Sequence, residues 1–209
     1  MSKAALVVGL GYEANSGKDA CVKHLMALYS GSKIIHTSFA RELRYEIHNE
    51  MYDVMADHRC SSSEALQAMC ERERVEFDPF ASKSEMDPFG KQRRLLQAWG
   101  MRQRAIDPFY WIHKVAQEIS SSQADLVLIS DLRFVNEAEF IRDRGGKTIK
   151  VHRPIKDKLE GHAAKHVSEH ELADYAFDYT ILNNGILKQL HNKVAAVYLQ
   201  ILQLPLFEE

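Results

Sequence analysis

The chain has 209 residues, of which 45% are hydrophobic and 27% charged, and a formal net charge of −2. That length suits one α/β domain with room for an inserted subdomain, and that charge gives no global field for polymeric nucleic acid or an anionic membrane, so any anionic ligand must be held locally. Cys21, Cys60 and Cys70 form no Cys-x-x-Cys pair and are odd in number, no apolar run approaches the ~20 residues of a membrane span, and no signal-peptide profile opens the chain. The expectation is a reducing, cytoplasmic setting with no membrane association.

Ala4–Val8 reads as a short buried parallel strand ended by glycine. The next stretch, Gly9-Leu10-Gly11-Tyr12-Glu13-Ala14-Asn15-Ser16-Gly17-Lys18-Asp19, leads into a helix with Val22, Leu25, Met26 and Tyr29 on one face and Gly31 as its stop. Strand, glycine-containing loop and helix describe a phosphate-binding loop. Backbone N–H groups and the positive helix end cradle phosphate oxygens, and a lysine reaches the terminal ones. Gly17 and Lys18 fit the usual spacing, whereas Tyr12 stands at the first glycine position and Asp19 at the hydroxyl position. A strand-turn-helix that merely contains Gly-Lys is the alternative at this point.

A second strand, Lys33–Thr37, runs through Ser38-Phe39-Ala40 into a helix with Leu43, Ile47, Met51 and Val54 on its apolar side. Ser61-Ser62-Ser63-Glu64 has the form of a helix start. Asp-Pro-Phe recurs at 78–80, 87–89 and 107–109 and predicts turns or first helical turns. The same tripeptide serves as a docking peptide in disordered tails, a setting these copies lack. Arg93, Gln97, Gly100 and Arg104 recur at i, i+4, i+7 and i+11 and share one helix face, with Leu95, Leu96 and Trp99 beside it as anchors. Another helix begins at Tyr110-Trp111.

Asp125–Asp131 predicts a buried strand ending in an acid, a position from which a carboxylate can hold Mg²⁺ beside phosphates. Arg133 follows at the carboxyl edge, where α/β sheets bind ligands. Asn136 with Glu139 forms a capping pattern, and Gly145-Gly146 ends the helix. Lys147–Val151 and Tyr179–Leu182 are further strands. Between them lies a polar stretch in which His162, His166 and His170 are spaced to share a helix face, a row that zinc can use but that is commonly just solvated. A last helix carries Leu187, Leu190, Val194, Val197, Ile201 and Leu202. The alternation predicts a five-stranded parallel sheet covered by helices on both faces.

Several blocks together resemble the deoxynucleoside monophosphate kinases of the bacteriophage type within the P-loop kinases. They are Ser16-Gly17-Lys18-Asp19, Ser38-Phe39-Ala40, Leu95-Leu96-Gln97-Ala98-Trp99-Gly100 with Arg104, Tyr110-Trp111, Asp131-Leu132-Arg133-Phe134-Val135-Asn136-Glu137, Gly145-Gly146, Arg153-Pro154, His166-Val167-Ser168-Glu169 and Asn183-Asn184-Gly185. The likeness covers nearly all of the chain except about 50–90. Departures are Tyr12 at the first glycine position, Asn15 at a position often Gly or basic, and Met101-Arg102 after Trp99-Gly100, which bears on base selectivity. A slightly enlarged loop hinged at Gly11 is the expected answer to Tyr12.

The resemblance implies a single kinase domain over 1–209. Its core would span about 1–40 and 110–209, with a helical acceptor-binding region at about 41–109 and a lid at about 153–172. It implies ATP and Mg²⁺ as cofactors and phosphoryl transfer to the 5′-phosphate of a deoxynucleoside monophosphate, with Lys18, Arg133 and Asp131 as catalytic residues. Gly11, Asn15, Ser16, Gly17, Lys18, Asp19, Ala20 and Arg153 would bind the cofactor, and Asp19 and Asp131 the metal. Ser38, Arg41, Arg44, Gln97, Trp99, Gly100, Arg104, Arg133, Glu137, Ser168 and Glu169 would bind the acceptor. The setting would be the host cytoplasm if the gene is a phage's, and a homodimer is open. Two alternatives stand beside this reading: a P-loop kinase for another phosphorylated metabolite, of phosphomevalonate or dephospho-coenzyme A type, and a GTP-binding switch, which would need an Asn-Lys-x-Asp motif the chain lacks.

Overall fold

The computed structural model describes residues 5–12, 15–29, 33–81, 92–154 and 167–202, with Glu169 described by its backbone alone. The expected stop at Gly31, the middle Asp-Pro-Phe copy and the greater part of the expected lid, with His162 and His166, lie outside the described residues. The chain divides into two compact units, one formed by residues 1–39 and 115–209, the other by 40–114.

The first unit is built on five strands: β1 (Leu6–Gly11), β2 (Ile34–Thr37), β3 (Leu126–Leu132), β4 (Lys147–His152) and β5 (Tyr179–Leu182). They pair in parallel in the order β2-β3-β1-β4-β5. Each strand is a short run of β-branched and aliphatic residues, as sheets buried on both faces require. The chain leaves β1 for the far edge, returns to β3 beside it, then crosses to β4 on the other side. The carboxyl ends of β1 and β3 therefore stand together at the centre, where open parallel sheets carry their ligand sites.

Alternation sorts the strand residues between the two faces. Val8, Leu10, Leu126, Leu128, Ile149, Val151 and Ile181 form one core with Cys21, Val22 and Leu25 of α1 (Lys18–Leu28) and Leu190, Val194, Tyr198 and Ile201 of the C-terminal helix Leu187–Ile201. On the opposite face Gly9 lets Ile141 approach so closely that an added Cβ would meet its Cδ1 at 2.4 Å. Burying each such aliphatic side chain contributes about 1.5–3 kcal/mol, so both helix layers are fixed by the strand pattern.

The second unit is helical. It holds α2 (Phe39–His58, entered from the first unit through Phe39), α3 (Ser62–Arg72), α4 (Arg93–Ile106) and the first turn of α5 (Tyr110–Ser122). α6 (Val135–Asp143) and α7 (Leu187–Ile201) belong to the first unit. Ser61 caps α3 as its sequence predicts: its hydroxyl accepts the Glu64 N–H at 3.3 Å, and the Glu64 carboxylate accepts the Ser61 N–H at 2.8 Å. The two described Asp-Pro-Phe copies are turns of one design. The Asp78 carboxylate accepts the Phe80 N–H at 2.9 Å, and the Asp107 carboxylate accepts the Phe109 N–H at 2.8 Å.

Candidate active site

β1 ends at Gly11 and α1 begins at Lys18, and three described residues between them take left-handed backbone: Tyr12 (φ 87°), Asn15 (φ 57°) and Gly17 (φ 100°). Asn and Gly accept that region readily, whereas a tyrosine there costs roughly 1–3 kcal/mol and persists only where surroundings enforce it. The expected hinge at Gly11 is therefore wrong. Gly11 remains in β1, where an added Cβ would lie 2.8 Å from Cβ of Leu132 and 3.1 Å from the Phe177 ring, so its lack of a side chain serves packing. Tyr12 itself makes the turn, and its ring sits beneath the Lys150 ammonium (4.0 Å) and 6.0 Å from the His152 ring.

Lys18 Nζ donates to the Tyr12 carbonyl and to Ser16 Oγ, each at 3.4 Å. Gly17 is the N-cap of α1 and supplies no side-chain acceptor to the first turn. The leading N–H groups of an eleven-residue helix, its positive end and a lysine thus converge on one loop. That donor set fits phosphate oxygens. Asp19 is exposed in the first turn, Ala20 follows within α1, and Ser16 is fully buried. Burial pushes the Cys21 thiol up to about 12, so the cysteine beside the loop is inert packing.

At the end of β3, one oxygen of the Asp131 carboxylate accepts the Phe39 N–H at 2.9 Å, which aims the acid and caps α2. The Arg133 N–H and the Phe134 N–H both donate to Glu137 Oε2, at 2.9 and 3.2 Å. Glu137, expected to touch the acceptor, is only 2% exposed; its described role is to hold the Arg133 backbone. The capping residue of α6 is accordingly Glu137, reaching back to Phe134, and the expected Asn136–Glu139 pattern is corrected. Arg133 Nη1 donates to the Ser168 carbonyl at 3.4 Å, on the short turn Val167–Glu169, and Glu171 accepts the Val135 N–H at 2.9 Å. Arg153 is exposed after β4, and Ser38 lies half-buried ahead of α2. His36 Nε2 and Ser130 Oγ pair at 2.8 Å, and Thr37 Oγ1 donates to Glu118 at 2.6 Å, so the neighbouring strand ends are pinned too.

Asp19 and Asp131 offer oxygen ligands of the kind Mg²⁺ takes one or two at a time, with phosphates and water filling its octahedron. Among the described residues no group of three His, Cys, Asp or Glu is disposed to hold a metal by itself. Of the histidine row only His170 is described, and it is exposed.

In the helical unit the expected acceptor residues separate into two sets. Trp99 is 3% exposed, with its indole N–H donated to Glu46 Oε1 at 2.8 Å and the Arg102 guanidinium over its ring at 4.1 Å. Gly100 is buried too, and its carbonyl accepts the Trp111 N–H at 3.2 Å. The expectation that Trp99 faces a base is corrected: the ring is part of the unit's core. Arg41, Arg44, Gln97 and Arg104 are half-buried, and Arg104 Nη1 donates to the Pro108 carbonyl at 3.3 Å.

Two side chains have roles that the sequence does not reveal. Glu46 gathers Trp99, Gln103 (2.6 Å), Tyr110 (2.6 Å) and Lys114 (3.4 Å). Burial opposes its charge, but the donors from Tyr110, Trp99 and Gln103 and the Lys114 ammonium outweigh that and hold its carboxyl below the ordinary range. Its signal was an acid flanking the apolar Leu43–Ile47 side of α2. The other group is Asn183, which reaches from β5 to the Ser16 carbonyl.

The family model for deoxynucleotide monophosphate kinase matches residues 33–194. A deoxynucleotide monophosphate kinase of Escherichia phage RB69 is 30% identical over 110 residues, which is 50% of this chain and 43% of that one. A protein of Acanthamoeba polyphaga mimivirus is 38% identical over 71 residues, 32% of this chain and 34% of its own. The chain thus spans less than half the length of these curated relatives. Among solved structures, dephospho-CoA kinase from Campylobacter jejuni aligns over 95% of this chain and 98% of its own, with 13% identity and a TM-score of 0.45. The family match runs through β2 to α7 and covers well over half of the residues, and the chain belongs to the deoxynucleotide monophosphate kinase family.

Proposed function

We propose that the protein transfers the γ-phosphoryl group of ATP to the 5′-phosphate of a deoxynucleoside monophosphate, giving ADP and a deoxynucleoside diphosphate. The observation that carries this reading is the convergence of the Lys18 side chain with the N-terminus of α1, which receives no side-chain cap from Gly17, beside a strand with Asp131 near its end and Arg133 just after it. ATP with Mg²⁺, when bound, supplies the transferred group and neutralises part of its charge. Phosphoryl transfer asks little covalent chemistry of the protein, so the residues act by positioning and by fixed charge.

Lys18 holds the terminal phosphates, with the backbone of Asn15–Asp19 around them, and Asp19 and Asp131 hold the metal. Arg133, its backbone fixed by Glu137, holds the acceptor phosphate. Arg41, Arg44, Gln97 and Arg104 of the helical unit contact the deoxynucleotide. Trp99 and Gly100 act by packing, and Glu137 by holding the Arg133 backbone. Arg153, Ser168 and Glu169 belong to the segments that exclude water from the reaction. The proposed partner is the small nucleotide alone, met in the cytoplasm, the host's if the gene is a phage's; the net charge is −2, and no described helix is long and apolar enough to cross a membrane.

The test is ADP release with ATP and Mg²⁺ across all deoxy- and ribonucleoside monophosphates, with phosphomevalonate and dephospho-coenzyme A in parallel. Turnover of at least one deoxynucleotide is the expected result. Strong ADP formation with either metabolite and none with deoxynucleotides would overturn the reading in favour of another P-loop kinase.

A further inference from the structure

The turn after β5 grips the phosphate loop from outside. Asn183 Nδ2 donates to the Ser16 carbonyl at 3.0 Å, and the same Nδ2 lies 2.6 Å from where a Cβ on Gly17 would stand. Asn183 is itself held: its N–H donates to the His152 carbonyl at 2.7 Å. From α7, Lys193 Nζ clamps both neighbours, donating to the Leu182 carbonyl at 2.7 Å and to Asn184 Oδ1 at 2.9 Å.

A trans peptide is planar, with its C=O and N–H pointing opposite ways. By fixing the Ser16 carbonyl, Asn183 also fixes the Gly17 N–H, which is turned away from Asn183. The left-handed Tyr12 strains this loop, and such strain persists only where the surroundings over-determine it. Ser16 is fully buried, so its carbonyl depends on a protein donor.

We infer that Asn183 is a positioning residue of the nucleotide site: it orients the Ser16–Gly17 peptide so that the loop meets a polyphosphate with its N–H groups already aligned. It touches loop backbone and not the reacting atoms. The inference rests on the phosphate-loop reading above and adds a residue to it from the opposite end of the chain.

Asn183→Leu keeps the branched outline and removes the donor, and Asn183→Asp replaces the donor by a carboxylate. Asn183→Leu is expected to weaken ATP binding about tenfold, as loss of one hydrogen bond to a buried carbonyl does, with the KM of the deoxynucleotide unchanged. Asn183→Asp is expected to lose more at neutral pH and to recover toward wild type as the pH falls through the carboxylate range, where the protonated acid can again donate to Ser16; each pH is compared with wild type at that pH. Asn183→Leu shows no such recovery. Wild-type ATP affinity in both variants overturns the inference, as does an equal loss for ATP and deoxynucleotide without pH recovery, which marks a general packing role. Lys18→Ala is run beside them. If it binds and turns over ATP normally, the phosphate-loop reading itself fails; if it is impaired while both Asn183 variants are not, only the present inference fails.

Discussion

The indole N–H of Trp99 and the side-chain amide of Gln103 both donate to Oε1 of Glu46, at 2.8 and 2.6 Å, so one carboxylate oxygen joins α4 to α2. The aromatic ring is therefore spent on the core of the helical unit. Trp99→Phe should cost about 1–2 kcal/mol in urea denaturation through the lost hydrogen bond, and Trp99→Ala about 3–5 kcal/mol through the cavity. Base preference should be unchanged in Trp99→Phe. A switched preference with intact stability would return the indole to the acceptor.

The same carboxylate makes a prediction about acid. Its folded-state pKa is depressed, so the stabilisation it gives is complete above the unfolded value, near the ordinary 4.5, and drains as the pH falls below it. Glu46→Gln should unfold more easily at pH 7 and lose less stability than wild type between pH 5 and pH 3. Parallel denaturant titrations at those pH values (roughly the carboxylate range) give the comparison, and identical slopes would deny Glu46 its role.

Glu137 and Arg133 should separate by what fails. Arg133→Ala should raise the KM of the acceptor by tenfold or more, on the scale of a lost charge-assisted phosphate contact, with stability close to wild type. Glu137→Ala leaves two N–H groups without their acceptor in a buried place, and about 1–3 kcal/mol of stability should go first. Calorimetry and steady-state kinetics on both variants decide the matter.

Asp131 caps α2 and is proposed to hold the metal, and an isostere can split the roles. Asp131→Asn keeps an oxygen for the Phe39 N–H while losing the charge. Its melting should stay near wild type while kcat falls by about 100-fold or more, the scale of lost electrostatic stabilisation. Asp19→Asn should raise the Mg²⁺ concentration needed for half-maximal rate. Activity independent of Mg²⁺ in the wild type would contradict both assignments.

The five parallel strands and seven helices of the described residues, and the positions of Lys18, Asp131 and Arg133, could be read from the chain because they follow from local rules. Short β-branched runs fall between amphipathic helices, and a charged residue closes a strand. What could not be read depends on the third dimension. Tyr12 was expected to push the turn back onto Gly11, but Leu132 and Phe177 crowd Gly11 and leave the turn to Tyr12. Trp99 stood beside a polar helix face, and nothing local shows that Glu46, on another helix, takes its N–H. Glu137 outcompetes the Asn136–Glu139 pattern because its carboxylate reaches two N–H groups at once. Asn183 lies 167 residues from Ser16, a separation no periodicity bridges.

The central claim, that the loop between β1 and α1 carries the transferred phosphate, is tested most directly by Lys18→Ala. ADP release is measured with ATP, Mg²⁺ and the best deoxynucleoside monophosphate. A loss of at least about 100-fold with an unchanged melting temperature is predicted. Retained activity in the folded variant would contradict the account.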